Sequence, residues 1–400
     1  MKKFFPYLTA LLSIGFLLPQ LSRAQIGNDN PTGVTGEYNG SITTAGSYDP
    51  YTGNAKRFVD DLTVAGSVGA YPLKWTRVLN SRGGGGWTHS YAWGLWVRPY
   101  EYYHYYPDQY EGPGAMVNYP DGRIETFGIA EQPYTYFPNS MSTEPQDVLE
   151  HMGGGNFDLV MRDGGRVKFT HPAGSISGYD LRATQIVDPY GQITNLTYDG
   201  SGRVSQVTEP GGRYLQINYN GPNGAVGSVQ AFDGPAGNLI ETVSYTYSLQ
   251  TLGGYSGYNL TQVNYDDGSH AIYTYIASNT GSVGALVHTC DDVRFAGPMK
   301  QIKYEYMPAG GPYDVSWGQI KAERNATTGQ VVSQLSPVPY EPTHWTAAHF
   351  QRTETRGDGA TRLFQYEGAN EGANGVASKH LTFQSWQSKQ EYGASPPAGV

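Results

Sequence analysis

The sequence predicts an all-β protein built from repeated antiparallel hairpins. Three observations lead to this fold class. Glycine and tyrosine are abundant, with 53 Gly and 33 Tyr in 400 residues, and charged residues make up only 15% of the chain. One segment also repeats with a period of 21 residues. Glycine supplies turns and tyrosine favours strands, whereas long surface helices are rich in Lys and Glu.

The first 24 residues have the pattern of a bacterial signal peptide. Two lysines precede an apolar run from Phe4 to Leu18, and Ser22 and Ala24 are the small residues that a signal peptidase reads. We expect cleavage between Ala24 and Gln25. The apolar run is shorter than the roughly 20 residues of a membrane-spanning helix, so we predict a protein that is secreted or held at the cell surface.

Charge and cysteine content exclude several classes of function. Removal of Lys2, Lys3 and Arg23 with the signal peptide changes the net charge from -9 to -12. Such an acidic chain without a basic cluster is expected to repel nucleic acid. Cys290 is the single cysteine, which excludes an internal disulfide and a thiolate metal cage.

The repeat is clearest between residues 185–203 and residues 206–224, which align at an offset of 21. In each unit a turn, as at 188–191, precedes a strand of alternating residues, as at 193–198, and Asp199-Gly200 is predicted to turn the chain again. The signature positions of the two units are Pro189, Gly191, Tyr198, Asp199, Gly200, Gly202 and Arg203 in the first, and Pro210, Gly212 and Tyr219 in the second. We predict a chain of hairpins.

Asp-Gly pairs extend this pattern, because each is followed closely by apolar and aromatic residues at 121–127, 163–169, 267–273 and 358–364. Asp-Gly is a strong signal for a short hairpin turn. Strands with alternating faces are predicted around Tyr245, Tyr304 and Phe364.

The segment 198–204, Tyr-Asp-Gly-Ser-Gly-Arg-Val, resembles the Tyr-Asp-x-x-Gly-Arg-Leu signature of YD repeats in RHS proteins and the related toxin-complex and teneurin shells. Segments 49–54, 73–82 and 86–91 are similar to the region that precedes the repeats in many RHS proteins. This resemblance implies a spiralling β-shell, which in many members encloses a C-terminal toxin or effector domain.

On this resemblance, residues 25–170 form an N-terminal RHS-like β region, residues 171–367 form a YD-repeat β region, and residues 368–400 form an irregular tail. Full shells use more repeats, and neither the family's self-cleaving region nor a toxin domain is recognisable. We therefore expect either a truncated front part of a longer product, or a sheet edge that the tail or a partner covers. The expected partners are an effector domain or further repeats, as in a polymorphic toxin scaffold.

The residues do not predict an enzyme, and we assign no catalytic, cofactor-binding or metal-binding residue. None of the nine histidines has metal-ligand spacing, and Cys290 is expected to be a small buried apolar residue rather than a nucleophile. The carboxylate pairs 60–61, 266–267 and 291–292 are expected in solvated turns, because adjacent strand residues point to opposite faces. A hydrolase using such carboxylates stays a third hypothesis.

An alternative function comes from the aromatic cluster around His104. Flat amphipathic rings are suited to stacking on sugars or on proteins, and the residues concerned are Tyr102, Tyr103, Tyr105 and Tyr106. They predict a stand-alone module that binds cell-surface glycans or adheres to a surface. The competing interpretation is that these rings pair across strands inside the sheet.

Overall fold

The computed structural model describes residues 55–66, 68–81, 86–98, 114–120, 124–131, 135–138, 147–170, 180–234, 237–277, 284–295, 300–308, 318–336, 349–367 and 387–391. In these residues nearly all regular structure is β-strand, and a 3-10 turn lies at Pro222–Gly224. The predicted all-β fold class is thus confirmed.

The strands, in chain order, are β1 (Lys56–Thr63), β2 (Lys74–Asn80), β3 (Trp87–His89), β4 (Gly94–Arg98), β5 (Gly114–Asn118), β6 (Ile124–Glu131), β7 (Thr135–Pro138), β8 (Val148–Gly153), β9 (Asn156–Val160), β10 (Arg166–Thr170), β11 (Asp180–Val187), β12 (Ile193–Tyr198), β13 (Val204–Thr208), β14 (Tyr214–Asn218), β15 (Ser228–Phe232), β16 (Leu239–Leu252), β17 (Tyr255–Tyr265), β18 (His270–Ala277), β19 (Ala285–Asp292), β20 (Gln301–Tyr306), β21 (Ile320–Asn325), β22 (Val331–Leu335), β23 (His349–Arg356), β24 (Thr361–Glu367) and β25 (Gln387–Glu391).

Two sheets account for all of these strands. The N-terminal sheet has the order β1-β2-β3, and the main sheet runs from β4 to β25 with each strand antiparallel to the next in sequence. Antiparallel neighbours joined by short turns are the pattern that consecutive hairpins produce.

Strand β11 is a branch point in the main sheet. One of its edges pairs with β10, and the other pairs with β12 through Gln185–Val187 and with β4 through Asp180–Arg182. The β4–β11 pairing closes the strands from β4 to β11 into a ring. The strands from β12 onward extend from this ring as a continuous wall.

One face of the main sheet is apolar and buried. Strand β14 shows the alternation, because Leu215 and Ile217 are at most 2% exposed while their neighbours are half-buried. The same period of two places Val229 and Ala231 of β15 beside them. The buried faces of the two sheets belong to one continuous hydrophobic core.

The chain turns at Asp199-Gly200, as predicted, and the hydrogen bonds define the type of turn. At 199–203 the Asp199 amide donates to the Arg203 carbonyl, and the Gly202 amide donates to the Asp199 carbonyl. The residue in the left-handed region is Gly202, with φ +79°, and not Gly200. This is a three-residue loop that ends in a glycine bulge. The same pair of backbone hydrogen bonds recurs at 161–165, 188–192, 209–213, 265–269 and 356–360.

The boundaries expected between regions fall within continuous pairing. Strand β10 ends at Thr170, and it pairs with β11 on the other side of the expected boundary at 170/171. The tail from 368 contributes β25, which pairs with β24.

We find no helix of membrane-spanning length and hydropathy among the residues that the structure describes.

Candidate functional site: the interface between the two sheets

The two long strands of the N-terminal sheet, β1 and β2, bury one face in the protein interior. Alternation along the two long strands brings together side chains that are each at most 4% exposed, namely Arg57, Val59 and Asp61 of β1 and Trp75, Arg77 and Leu79 of β2. Three of these six residues are charged, which is unusual for a fully buried face. The interface with the main sheet is therefore the most chemically distinctive part of the described chain.

Asp61 is the centre of this interface. Its carboxylate accepts hydrogen bonds from the Arg77 guanidinium, through Nε and, at 3.0 Å, through Nη2. The hydroxyls of Tyr245 on β16 and Tyr265 on β17 donate to it at 2.8 and 2.9 Å. A backbone bulge, where the β1 register shifts between Asp60 and Leu62, accompanies this inward placement. One carboxylate thus joins both sheets.

The tyrosines act as hydrogen-bond donors in this network. Burial raises the pKa of Tyr245 far above its ordinary value, and the nearby Asp61 carboxylate raises it further. Burial and Asp61 act in the same way on the pKa of Tyr265. Both phenols therefore keep their protons at any physiological pH.

Arg77 is held from several sides. Besides Asp61, it donates to the Tyr273 hydroxyl at 3.0 Å, and its guanidinium lies 4.5 Å from the Trp87 ring centroid and 5.1 Å from that of Tyr273. Aromatic faces attract a desolvated cation. Arg294, after β19, stacks at 3.6 Å on the Tyr265 ring.

The loop after β1, described at residues 64–66 and 68–71, lies along a row of hairpin turns at one end of the main sheet. Turn carboxylates accept hydrogen bonds from this loop, and one turn arginine donates to its carbonyls. The pairs are Val68 N to Glu209 (2.9 Å), Ala70 N to Asp188 (2.6 Å), Tyr71 Oη to Asp163 (2.6 Å), and Arg213 to the carbonyls of Ala65 (2.8 Å) and Gly66 (2.5 Å). The repeat turns therefore serve as the docking points of the N-terminal region.

Asp188 shows the electrostatic consequence of this docking. Burial raises the pKa of its carboxyl, but hydrogen bonds from the backbone amides of Ala70, Gln192 and Tyr190 outweigh burial and hold the pKa below its usual range. One of these three amides comes from the docked loop, so loop and turn stabilise each other.

The repeat-signature residues take equivalent positions in the two units. The Tyr198 hydroxyl donates to the Ala183 carbonyl at 2.6 Å, and the Tyr219 hydroxyl donates to the Val204 carbonyl at 2.9 Å, in each case 15 residues earlier in the chain. Tyr247, Tyr275 and Tyr306 make the same kind of bond to Val226, Leu260 and Val287. Each tyrosine ties its strand to a neighbouring hairpin.

Asp199 and Arg203 organise the signature turn. Asp199 accepts from the backbone amides of Ser201 and Arg203, and it pairs with the Arg203 guanidinium at 2.7 Å. Hydrogen bonds from the Arg203 amide and side chain hold the pKa of Asp199 below its usual range, against the effect of burial. The Arg203 guanidinium also lies 4.1 Å from the Tyr219 ring centroid.

Pro189, Gly191, Gly200, Gly202, Pro210 and Gly212 belong to the turns. Gly191, Gly202 and Gly212 have positive φ, from +79° to +86°, whereas Gly200 does not.

The three carboxylate pairs have different environments. Asp266 and Asp267 lie exposed in a turn, as expected. The expectation of solvated turns is wrong for the other two pairs, because Asp61 and Asp292 are 3% and 0% exposed. Both lie on strands that a second sheet or an arginine covers, and local sequence does not encode such long-range contacts.

Cys290 is fully buried, and burial raises the pKa of its thiol to about 11. His89 stacks on Trp75, with ring centroids 4.4 Å apart, and burial lowers its pKa to about 4. Within the described parts of the chain, no three His, Cys, Asp or Glu side chains come together as a metal site would require.

Sequence reasoning did not single out the pairing of Asp61 with Arg77 or the tyrosines that bind Asp61. One signal was present, since Arg57, Val59 and Asp61 alternate in a strand-like segment with charges at both ends. The expected signal-peptide cleavage between Ala24 and Gln25 lies outside the described residues. The same is true of Tyr102, Tyr103, Tyr105 and Tyr106.

Comparison with known proteins gives distant matches at the level of structure alone. No protein-family model matches the chain, and no curated protein matches it. Among solved structures, the Photorhabdus luminescens Tc holotoxin pore with a TccC3-D651A mutation is 10% identical with a TM-score of 0.38, and the match covers 94% of this chain.

A TcdB2-TccC3 structure without its hypervariable C-terminal region is 10% identical with a TM-score of 0.36 over 91% of this chain. In both cases the chain spans 20% of the matched toxin-complex chain. A porin-like protein from Bacteroides uniformis is 11% identical with a TM-score of 0.25, covering 54% of this chain and 90% of its own.

Proposed function

We propose that this chain is an exported structural scaffold, a segment of an RHS-type β-shell whose wall encloses or displays an effector domain. One observation supports this most strongly. The strands from β4 to β25 follow one another in chain order as a single wall, and the N-terminal sheet covers part of its apolar face through a buried network. A continuous wall with a sealed inner face is what a container needs.

The YD-like turns supply a second line of support. Each adds one hairpin to the wall with the same backbone hydrogen bonds, and each tyrosine ties its hairpin to an earlier one. A unit that binds only its neighbours can be repeated without limit. Such a wall can be lengthened by further repeats to surround a partner.

In this proposal the chain has no catalytic activity of its own. The buried carboxylates of Asp61 and Asp292 are bound by arginines and tyrosines, and His89 is stacked on Trp75. A catalytic acid, base or nucleophile must instead reach a substrate.

The test begins with the coding sequence beyond the codon for Val400. If it continues into further repeats and a distinct C-terminal domain, the whole protein is expressed and treated with protease. We expect that domain to be cut at least tenfold more slowly inside the whole protein than when expressed alone. Equal rates of cleavage, or a stop codon directly after Val400, contradict enclosure of an effector.

Export has a separate test. When the full chain is produced in a bacterial host, we expect it outside the cytoplasm with Gln25 as its first residue, as found by N-terminal sequencing. Retention in the cytoplasm with an uncut N-terminus contradicts export. The alternative, a stand-alone module for surface glycans, rests on the composition around His104, and it becomes the leading hypothesis if the reading frame ends at Val400.

A further inference from the structure

Two arginines lie side by side on the buried face of the N-terminal sheet. In the β1–β2 register, Arg57 is opposite Leu79 and Arg77 is opposite Val59, so the two arginines are diagonal neighbours on one face, about 7 to 8 Å apart at Cα. Their exposed fractions are 0% and 4%. Two like charges buried on the same face of a sheet repel each other, because no water screens them.

The guanidinium groups have hydrogen-bond donors that remain unpaired in the described part of the protein. They are Nε, Nη1 and Nη2 of Arg57 and Nη1 of Arg77, which meet no acceptor with good hydrogen-bond geometry. The Tyr304 hydroxyl does lie beside the Arg57 guanidinium and, against the effect of burial, helps to raise its pKa. The Arg57 group also lies 5.5 Å from the Phe295 ring centroid, which attracts its charge but accepts no conventional hydrogen bond. Buried donors in native proteins are almost always satisfied, and one tyrosine hydroxyl accepts too few hydrogen bonds for four donor nitrogens, so these nitrogens indicate a further acceptor.

The carboxylates of the interface are already engaged. Asp61 binds the other nitrogens of Arg77 and two tyrosines, and Asp292 binds Arg294 at 2.8 and 3.0 Å. Glu323, buried opposite Tyr304 on β21, forms no hydrogen bond with Arg57. No carboxylate in the described residues therefore accepts a hydrogen bond from the Arg57 guanidinium.

The neutral groups beside Arg57 do not replace a carboxylate. Burial raises the pKa of Cys290 to about 11, and Arg57 and Arg77 lower it only in part. Burial likewise raises the pKa of Tyr273. Both groups keep their protons at neutral pH, and the Tyr273 hydroxyl, which accepts from Arg77, still has its own hydrogen to donate.

We propose that the guanidinium groups of Arg57 and Arg77, both near Tyr273, form a binding site for a small monovalent anion such as chloride or formate. The anion accepts hydrogen bonds from the two guanidinium groups and from the Tyr273 hydroxyl, and it neutralises the second buried positive charge. It binds at the contact between the two sheets, so its occupancy stabilises their docking.

The test is calorimetric unfolding of the full chain at pH 7 and constant ionic strength, with sodium gluconate replaced stepwise by sodium chloride. Above the dissociation constant, we expect Tm to rise by about 2 °C for each tenfold increase in chloride. Arg57→Met removes the donors and most of this rise. Arg166→Met, at a half-exposed ion pair outside the site, keeps it. The same chloride dependence in the wild type and in Arg57→Met overturns the proposal.

A diffraction measurement on the wild-type chain does not depend on the folding of the variant. Crystals grown in bromide are expected to show an anomalous peak within hydrogen-bonding distance of Arg57 and Arg77. Ordered side chains at both arginines without such a peak overturn the proposal.

Discussion

The interface between the two sheets and the repeat hairpins from β12 to β15 are stabilised in opposite ways. At the interface, Asp61 reaches Tyr245 and Tyr265, which are 184 and 204 residues away in the chain. In the hairpins, Tyr198 and Tyr219 bind carbonyls only 15 residues away. The interface is a single network in which each group serves several others, whereas the hairpins repeat one small unit.

A single substitution is expected to destabilise the interface more than the hairpins. Removing one member of a buried charged network leaves its partners unsatisfied in a dry environment, and no second copy exists to compensate. Removing one member of a repeated unit affects that unit and its nearest neighbours. Four substitutions or conditions test the comparison.

The largest effect is expected for Asp61→Asn. The neutral amide leaves the Arg77 charge buried without its counterion, which destabilises by about 3 to 5 kcal/mol. The free energy of unfolding from urea titration checks this value. Asp60→Asn is the matched control, because Asp60 pairs with Lys74 at the surface, and its loss is expected to be at most about 1 kcal/mol. Equal losses for both variants contradict the central role of Asp61.

The second effect is a loss of stability in mild acid that originates in His89. Burial lowers the pKa of folded His89 to about 4, so between pH 6.5 and pH 4 the unfolded chain binds a proton that the folded chain does not. Stability contributed by this residue is full above pH 6.5 and falls by up to about 3 kcal/mol as the pH drops to 4.

Urea titrations at several pH values measure this effect in the wild type and in His89→Gln. The variant is expected to lose less stability than the wild type over the same pH range. Parallel curves for the two proteins contradict the assignment to His89.

The third effect concerns the repeat turns. Gly202→Ala forces a side chain into the left-handed region, where φ is +79°, and is expected to destabilise by about 1 to 2 kcal/mol. Its added Cβ also meets the end of the Arg182 side chain, which is flexible and can shift. Gly200→Ala, two residues earlier, meets nothing within 4 Å and is expected to change the urea midpoint little. The reverse order of these two variants contradicts the assigned turn geometry.

The smallest effect is expected for Tyr219→Phe. The substitution removes one hydrogen bond to the Val204 carbonyl and keeps the ring beside Arg203, for a loss of about 1 kcal/mol. Tyr190→Phe is the control, since Tyr190 is 82% exposed. Thermal unfolding of the two variants measures the difference, and a loss for Tyr219→Phe as large as that for Asp61→Asn contradicts the comparison.

The hairpins could be predicted from sequence because their information is local. The alternation around Tyr245, Tyr304 and Phe364 places these residues in β16, β20 and β24, and the 21-residue offset matches the equivalent positions of Tyr198 and Tyr219. The turn at Asp199-Gly200 was also predicted, but the sequence did not show which of the two nearby glycines takes the left-handed conformation, and the structure gives it to Gly202.

The interface could not be predicted in the same way. Alternation along the strand places Asp60 and Asp61 on opposite faces, but nothing local shows that the face of Asp61 is the buried one. The difference is set by a bulge in β1 and by tyrosines that come nearly 200 residues later. Likewise, the pairing of β4 with the free edge of β11 joins strands that are distant in the chain. The alternation of residues within a strand does not show which strand will pair with it.

The separations between partners also set an order of events during synthesis. Asp61 and Arg77 are only 16 residues apart, so the β1–β2 hairpin can form its ion pair while most of the chain is still unmade. The ring from β4 to β11 has all its strands once residue 187 has emerged. Tyr245 and Tyr265 follow much later, and contacts between such distant residues form slowly. In this order of formation, docking dehydrates an ion pair that already exists rather than two separate ions.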